Sequence, residues 1–417
     1  MSRAPRPGRL LVLAALIAGG AALSAIRAAD QRPGTDLHAK WMAGKLFRSG
    51  EPVYVLRPDV RGPPTYPPFA AMVFQVIALF PLKVAAGLFY FANLALIAVA
   101  LVLTRRVFRR VWPESERPRW PFVAALVCTG QFYLNNLNLV QIDVPLFVLV
   151  LLGITAHLDG RDVAAAGAFV GAAALKLIPV FFVVWLLVRG RRREALAVAA
   201  FAATAFALPI LQRGFDRGVQ DLQEYHATVI AGLHAGRVDA SYLNQSLGAS
   251  IYRLTRPPQQ PGGSDYRVVP ASDATRQALS AGAALAVALG FGATLVWLRA
   301  RGQPLSVFEL SSVFLTGHLL SALTWKSHLV TLLFVAYAFL AIPRAALPRG
   351  WRVAWTALAA LLVAIGLGGR DIVGTTLHHW IGGYSVIGWT LLLLWGAALF
   401  LSHARFRAWE PSSSTPS

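Results

Sequence analysis

Asp36 is the residue of this chain best suited to acid–base chemistry at a membrane boundary. It opens TDLHAKWMAGKLFRSGEPVY, directly after the first apolar run. A helix through this segment places Asp36, Lys40, Ala43 and Phe47 on one stripe, with Leu37, Trp41 and Gly44 on the next. A base and a cation then sit together beside an apolar foot. Such a carboxylate suits taking a proton from a hydroxyl that attacks a lipid-borne substrate at the membrane surface. Thr35 or Asp36 would also cap the helix, and Gly50 would end it. Capping explains an acidic residue here about as well as catalysis does, and the two roles are compatible.

Other polar residues stand where apolar sequence dominates. Lys176, in AAALKLIPVFF, is an ammonium within an apolar hairpin. An ionisable group at membrane depth is costly, so it marks a site to hold a lipid phosphate, against the plainer reading of a snorkelling lysine. His328 closes the corner SALTWKSHLV, where it could donate to a phosphate or relay a proton. Trp325 beside it equally fits an aromatic belt. Gln131, Asn135, Asn136 and Asn138 form an amide cluster, and amides offer sugar hydroxyls paired donors and acceptors. Tyr242, Asn244, Gln245, Ser246 and Arg253 form a second polar cluster, for which helix capping is the competing explanation.

These residues must be positioned by a membrane-embedded body. Of 417 residues, 56% are hydrophobic and 14% charged, where a soluble protein carries about a quarter charged. Mean hydropathy is +0.55. The apolar runs are continuous rather than alternating, which predicts an all-α polytopic membrane protein and not a barrel, with about 10–13 transmembrane or partial helices. The net charge of +20 lies in arginine clusters between spans: Arg105, Arg106, Arg109 and Arg110; Arg189 and Arg191 to Arg193; Arg299 and Arg301. That is a positive-inside pattern, satisfied by lipid head groups and not requiring nucleic acid. The single cysteine, Cys128, excludes a disulfide framework and a cysteine metal site.

Arg3, Arg6 and Arg9 place the N-terminus in the cytoplasm, and the run to Ala29 reads as an uncleaved first span. One membrane domain then covers residues 1–403, with outer loops at 30–66 and 212–277 and a cytoplasmic, disordered tail at 404–417. Residues 67–82 read as a re-entrant or juxtamembrane helix, followed by one crossing at 84–104. Spans follow at 121–135, 142–158, 195–211, 278–299, 306–323, 328–343, 353–369 and 384–402, with 163–188 a hairpin whose tip carries Lys176 and Pro179. No Walker, Rossmann or HExxH motif occurs, and the adjacent His378 and His379 are poorly spaced to share a metal. No metal or cofactor is expected, and a sugar donor would be lipid-borne rather than nucleotide-borne.

At these residues the chain resembles glycosyltransferase family 87, formerly DUF2029. The matching features run in order through most of the chain. They are Asp36 with Gly50-Glu51-Pro52-Val53-Tyr54; Tyr66-Pro67-Pro68; Gly130-Gln131 with its asparagines; Ala173-Ala174-Leu175-Lys176 before Pro179; Asn244-Gln245-Ser246-Leu247; and Ser321-Ala322-Leu323-Thr324-Trp325 ending at His328. The resemblance implies a GT-C type fold, a polyprenyl-phosphate sugar donor, most readily mannose, and a glycolipid or glycan acceptor. It also implies catalysis on the extracytoplasmic face of a bacterial plasma membrane. It maps the catalytic aspartate onto Asp36 and a histidine near the donor phosphate onto His328. Lys40, Tyr66, Gln131, Asn135, Asn138, Lys176, Asn244, Gln245, Arg253 and Trp325 are the expected substrate-binding residues. Two departures stand out: Ala322 replaces the family's usual proline, and Ser327-His328 stands where many members have paired histidines. A lipid-linked-sugar transporter or flippase, or an inactive envelope-assembly subunit, is the competing reading.

Overall fold

The computed structural model describes residues 7–32, 34–55, 65–116, 119–231, 238–256, 266–344 and 347–403. Arg3, Arg6 and the tail at 404–417 lie outside the described residues. No strand occurs among those described. Among the described residues, five helices are long and apolar enough to cross a membrane: Leu82–Val111 (α4), Arg192–Arg213 (α9), Asp273–Ala300 (α12), Arg349–Leu367 (α15) and Val386–His403 (α17). These expose leucines, valines and phenylalanines along their outer faces, including Val102, Leu196, Phe206, Leu289 and Leu393. In water that surface would be a liability; against hydrocarbon it is the expected solvent face.

Shorter apolar helices fill the centre. Trp120–Leu139 (α5) and Asp143–Leu158 (α6) form one pair, and Asp162–Leu175 (α7) and Val180–Arg189 (α8) form the hairpin around Lys176. Val307–Leu320 (α13), a 3₁₀ corner at Lys326–Thr331 and Leu332–Leu340 (α14) form another central unit. α14 is buried throughout and almost wholly apolar, whereas α13 is nearly as buried but carries Glu309, Ser311, Ser312, Thr316 and His318. α6 packs on α4 and α7, α7 on α9, α13 on α17, and α5 on the 3₁₀ corner and α14.

Pro7–Ala29 (α1) lies against α4, and Asp36–Ser49 (α2) follows it. The Thr35 side chain caps α2 by accepting from the His38 amide. Gly50, at φ 82°, ends it with a backbone bond to Leu46. α2 rests on Pro68–Phe74 (α3) at Gly44, where an added Cβ would overlap the Phe74 carbonyl. After α3, Ile77–Leu79 is 3₁₀ and α4 runs unbroken, in keeping with one crossing here rather than two. The 212–277 segment, expected as a loop, contains Phe215–Tyr225 (α10) and Leu247–Thr255 (α11). Arg370–Gly383 (α16), also unforeseen as a helix, bends at Gly374, which has φ 76°.

The arginine clusters converge at one end of the bundle. Arg106 and Arg110 pair with Asp159, and Arg191 pairs with Asp162 and Glu194. Arg189 holds Glu309 at 2.7 Å, while Arg299 donates to the carbonyls of Arg189 and Gly190. These residues sit at the turns after α4, α6, α8 and α12. The N-terminus of α6, about 24 Å away along its 16 residues, faces the opposite end.

Candidate active site

At that opposite end Asp36 is half-buried at the start of α2, with Gln141 Nε2 donating to its Oδ2 at 2.7 Å. Gln141 also accepts from the Tyr66 hydroxyl at 3.4 Å. Asp36 is therefore oriented through one oxygen, while the other makes no hydrogen bond among the described residues. Gln141 lies in the tight turn between α5 and α6, where Val140 adopts φ 50° and ψ 54°. A β-branched residue in the left-handed region stores roughly 1–3 kcal/mol of strain. The turn lets Gln141 and Asp143 share the site with α2.

Lys40 follows Asp36 by one helical turn. It is buried and donates to the Asp36 carbonyl at 3.0 Å, with its ammonium 5.7 Å from the Tyr66 ring centre. No carboxylate pairs with it among the described residues. Burial pulls its pKa from the ordinary 10.5 down to about 8, although the Asp36 charge opposes this and Lys176 adds to it. Lys40 is thus within electrostatic reach of Asp36, Lys176 and Asp143.

Lys176 stands at the break between α7 and α8, where its extended backbone ends α7. Its ammonium is 2.7 Å from Asp143 Oδ1. Asp143 begins α6 and neutralises that lysine in place, while its Oδ2 is buried without a partner. Asp143, Pro179, His318, His328 and Thr331 line one pocket that continues between the apolar side chains of α6, α8 and α13. His318 Nε2 lies 2.6 Å from the Thr331 hydroxyl, and its Nδ1 is buried and unpartnered. His328 engages its own turn through Nδ1, at 3.1 Å from the Leu323 carbonyl and 3.3 Å from the Trp325 amide nitrogen. Nε2 is left toward the pocket. Asn136 Oδ1, Ser327 Oγ and Trp325 Nε1 are also buried without partners. Native interiors satisfy nearly all such groups, so this concentration marks a place built for a polar ligand.

Asp36, Lys40, Tyr66, Lys176, Trp325 and His328 are thereby gathered around one region, and the remaining candidates divide from them. Asn244 Nδ2 donates to the Asp239 and Ala322 carbonyls, and its Oδ1 accepts from the Ser246 and Thr324 amides. Gln245 Nε2 serves the Tyr242 and Gly382 carbonyls. Arg253 spends its guanidinium on the carbonyls of Gly383, Ser241 and Asn244 and on the Ser385 hydroxyl. All three are buried. They join α11 to the 321–325 segment and to the start of α17, so these hydrogen bonds give them a structural role beside the sugar-binding one expected of them. Gln131 donates to the Ile365 carbonyl at the end of α15. Asn135 is half-buried and Asn138 exposed, whereas their neighbour Asn136 donates to the Ser327 carbonyl at 2.9 Å.

Gln141, Asp143 and His318 belong to the site yet were not singled out from sequence. Asp143 and His318 carried a usable signal, since each is a titratable residue within or beside an apolar run. Gln141 carried none, because an amide at a helix junction is ordinary turn chemistry. No group of three or more histidine, cysteine or carboxylate side chains able to hold a metal occurs among the described residues.

The chain is similar in sequence to two curated mannosyltransferases. A polyprenol-phosphate-mannose-dependent alpha-(1-2)-phosphatidylinositol mannoside mannosyltransferase of Mycolicibacterium smegmatis is 30% identical over 241 residues, 52% of each chain. The protein of the same name from Mycobacterium tuberculosis is 29% identical over 340 residues, 78% of this chain and 71% of the relative. The chain thus spans about half the length of the first of these curated relatives. Residues 65–322 match glycosyltransferase family 87, more than half of the sequence, and the chain belongs to that family.

Proposed function

We propose that this protein transfers a hexose, most readily mannose, from a polyprenyl-phosphate donor to a lipid or glycan acceptor, with inversion, on the extracytoplasmic face of a bacterial plasma membrane. The single domain at 1–403 would adopt a GT-C arrangement. The observation that carries the reading is Asp36, half-buried, aimed by Gln141 and one helical turn from Lys40, which is within electrostatic reach of the Lys176–Asp143 pair beside a pocket lined by Asp143, His318 and His328.

Asp36 takes the proton of the acceptor hydroxyl as its oxygen attacks the anomeric carbon. The bond between that carbon and the phosphate oxygen breaks, and polyprenyl phosphate leaves with the electron pair. Positioning and charge stabilisation then make up most of the catalysis. Lys40, whose ammonium has no carboxylate partner, and His328 Nε2 face the phosphate. Asp143 holds Lys176 in register. Asp143 is a poorer base than Asp36 because it is buried and already neutralised by Lys176. Acceptors of the phosphatidylinositol mannoside class, named for the mycobacterial relatives, are the first to try.

The test is release of polyprenyl phosphate from polyprenyl-phosphate-mannose by purified protein in nanodiscs, with a membrane extract supplying acceptor. Wild type should release it, and a folded Asp36→Ala variant should not. Equal release by both would remove Asp36 from the chemistry. No release by wild type would favour a different donor or a transporter.

A further inference from the structure

Lys326 and His378 lie outside the chemistry derived above. In a 3₁₀ turn successive residues are rotated by ~120°, so Lys326 and His328 leave the corner in different directions. His328 lines the pocket near Asp143, whereas Lys326 reaches the junction of α15 and α16. There its ammonium is 3.2 Å from the Gly368 carbonyl and 3.2 Å from His378 Nδ1. No carboxylate pairs with Lys326 among the described residues. His378 Nδ1 also lies 3.1 Å from the Gly368 carbonyl, so the ring, the ammonium and that carbonyl meet at one point. Burial holds His378 below the ordinary histidine range, opposed by the Gly368 carbonyl and reinforced by nearby Lys326. His379 follows, packed on Tyr242 with ring centres 4.7 Å apart.

The helix bearing these histidines also exposes Ile372, Leu377 and Trp380 at 62%, 51% and 57%. It is not among the helices able to span a membrane. An amphipathic helix with exposed tryptophan and leucine suits the interface between head groups and acyl chains. A cation without a counter-ion beside such a helix meets lipid phosphate before it meets solutes.

We propose that Lys326 and His378 form an anion subsite for the phosphodiester of an acceptor lipid, separate from the Lys40–Lys176–His328 region that faces the donor phosphate. The assignment rests on the transferase reading for its role, but the binding itself does not depend on turnover. The corner at 325–328 would hold the two substrates apart, one anion on each side.

Two measurements test this. In phosphatidylcholine nanodiscs doped with phosphatidylinositol, native mass spectrometry should find phosphatidylinositol retained by wild type and by Lys326→Arg, and lost from Lys326→Gln. Equal retention by Lys326→Gln would overturn the subsite. Inorganic phosphate binding with no preference for phosphatidylinositol would overturn the lipid assignment in favour of a free anion. In turnover, Lys326→Gln should raise KM about tenfold for an anionic glycolipid acceptor while leaving KM for the polyprenyl donor within about twofold. A rise in donor KM instead would place Lys326 with the donor. If wild type turns over no donor, the transferase reading fails while the phosphatidylinositol measurement still decides the subsite.

Discussion

Asp36 and Lys40 share one helical stripe, and under the proposed mechanism they divide the chemistry between them. General-base catalysis contributes about 10²–10⁴ in rate, so Asp36→Asn, which keeps the shape and the cap, should lower kcat by that range without unfolding the protein. Gln141→Ala should leave the carboxylate present but unaimed, costing roughly tenfold in kcat with a smaller effect on KM. Lys40 supplies a pH signature. Its ammonium titrates near 8, below the ordinary lysine value, so the positive charge facing the donor phosphate is present below that pH and lost above it. The pH profile of kcat/KM, which reports the free enzyme, should therefore fall as pH rises through about 8. Lys40→Arg should carry activity further into the alkaline range, because a guanidinium keeps its proton there. An alkaline limb that stays in place in Lys40→Arg would assign the titration to another group.

The position of Asp36 depends on how α2 is seated. Arg213, at the end of α9, donates to the carbonyls of Leu46, Phe47 and Glu51 at 3.3, 2.9 and 2.6 Å while pairing with Asp221 at 2.8 Å. Both side chains are almost fully buried, at 2% and 1% exposure. Removing one partner of such a pair costs about 3–5 kcal/mol, so Arg213→Ala should lower the thermal unfolding midpoint in detergent sharply. Gly44→Ala should lift α2 from α3 and reduce activity more than stability, because the overlap falls on the helix that carries the base. The caps and stripe of α2 were legible in the sequence because Thr35, Gly50 and the heptad-like spacing act locally. Lys176 was legible as an oddity in apolar sequence, but its partner Asp143 was not, since 33 residues separate them. Asn244, Gln245 and Arg253 were legible as a polar cluster, but the carbonyls they satisfy were not. Those carbonyls come from the 321–325 and 382–385 segments, which only the tertiary fold brings near. α16 was missed because its apolar residues are too few for a span.

Across the whole molecule, charge and chemistry occupy opposite ends. Arg106, Arg110, Arg189, Arg191 and Arg299 gather around Asp159, Asp162, Glu194 and Glu309, while Asp36, Asp143, Lys176 and His328 gather at the far end of α6. Arginine-rich ends stay in the cytoplasm, so the site should face outward, where a lipid-linked donor rather than a cytosolic nucleotide sugar is the available substrate. The single cysteine makes this directly measurable. In a Cys128→Ala background, Arg48→Cys and Arg193→Cys place one thiol at each end, both at exposed positions. A membrane-impermeant maleimide added to intact cells should label Arg48→Cys, and should reach Arg193→Cys only after lysis. The reverse pattern would put Asp36 in the cytoplasm and remove the argument for an extracytoplasmic reaction, while leaving the local chemistry of the site unchanged.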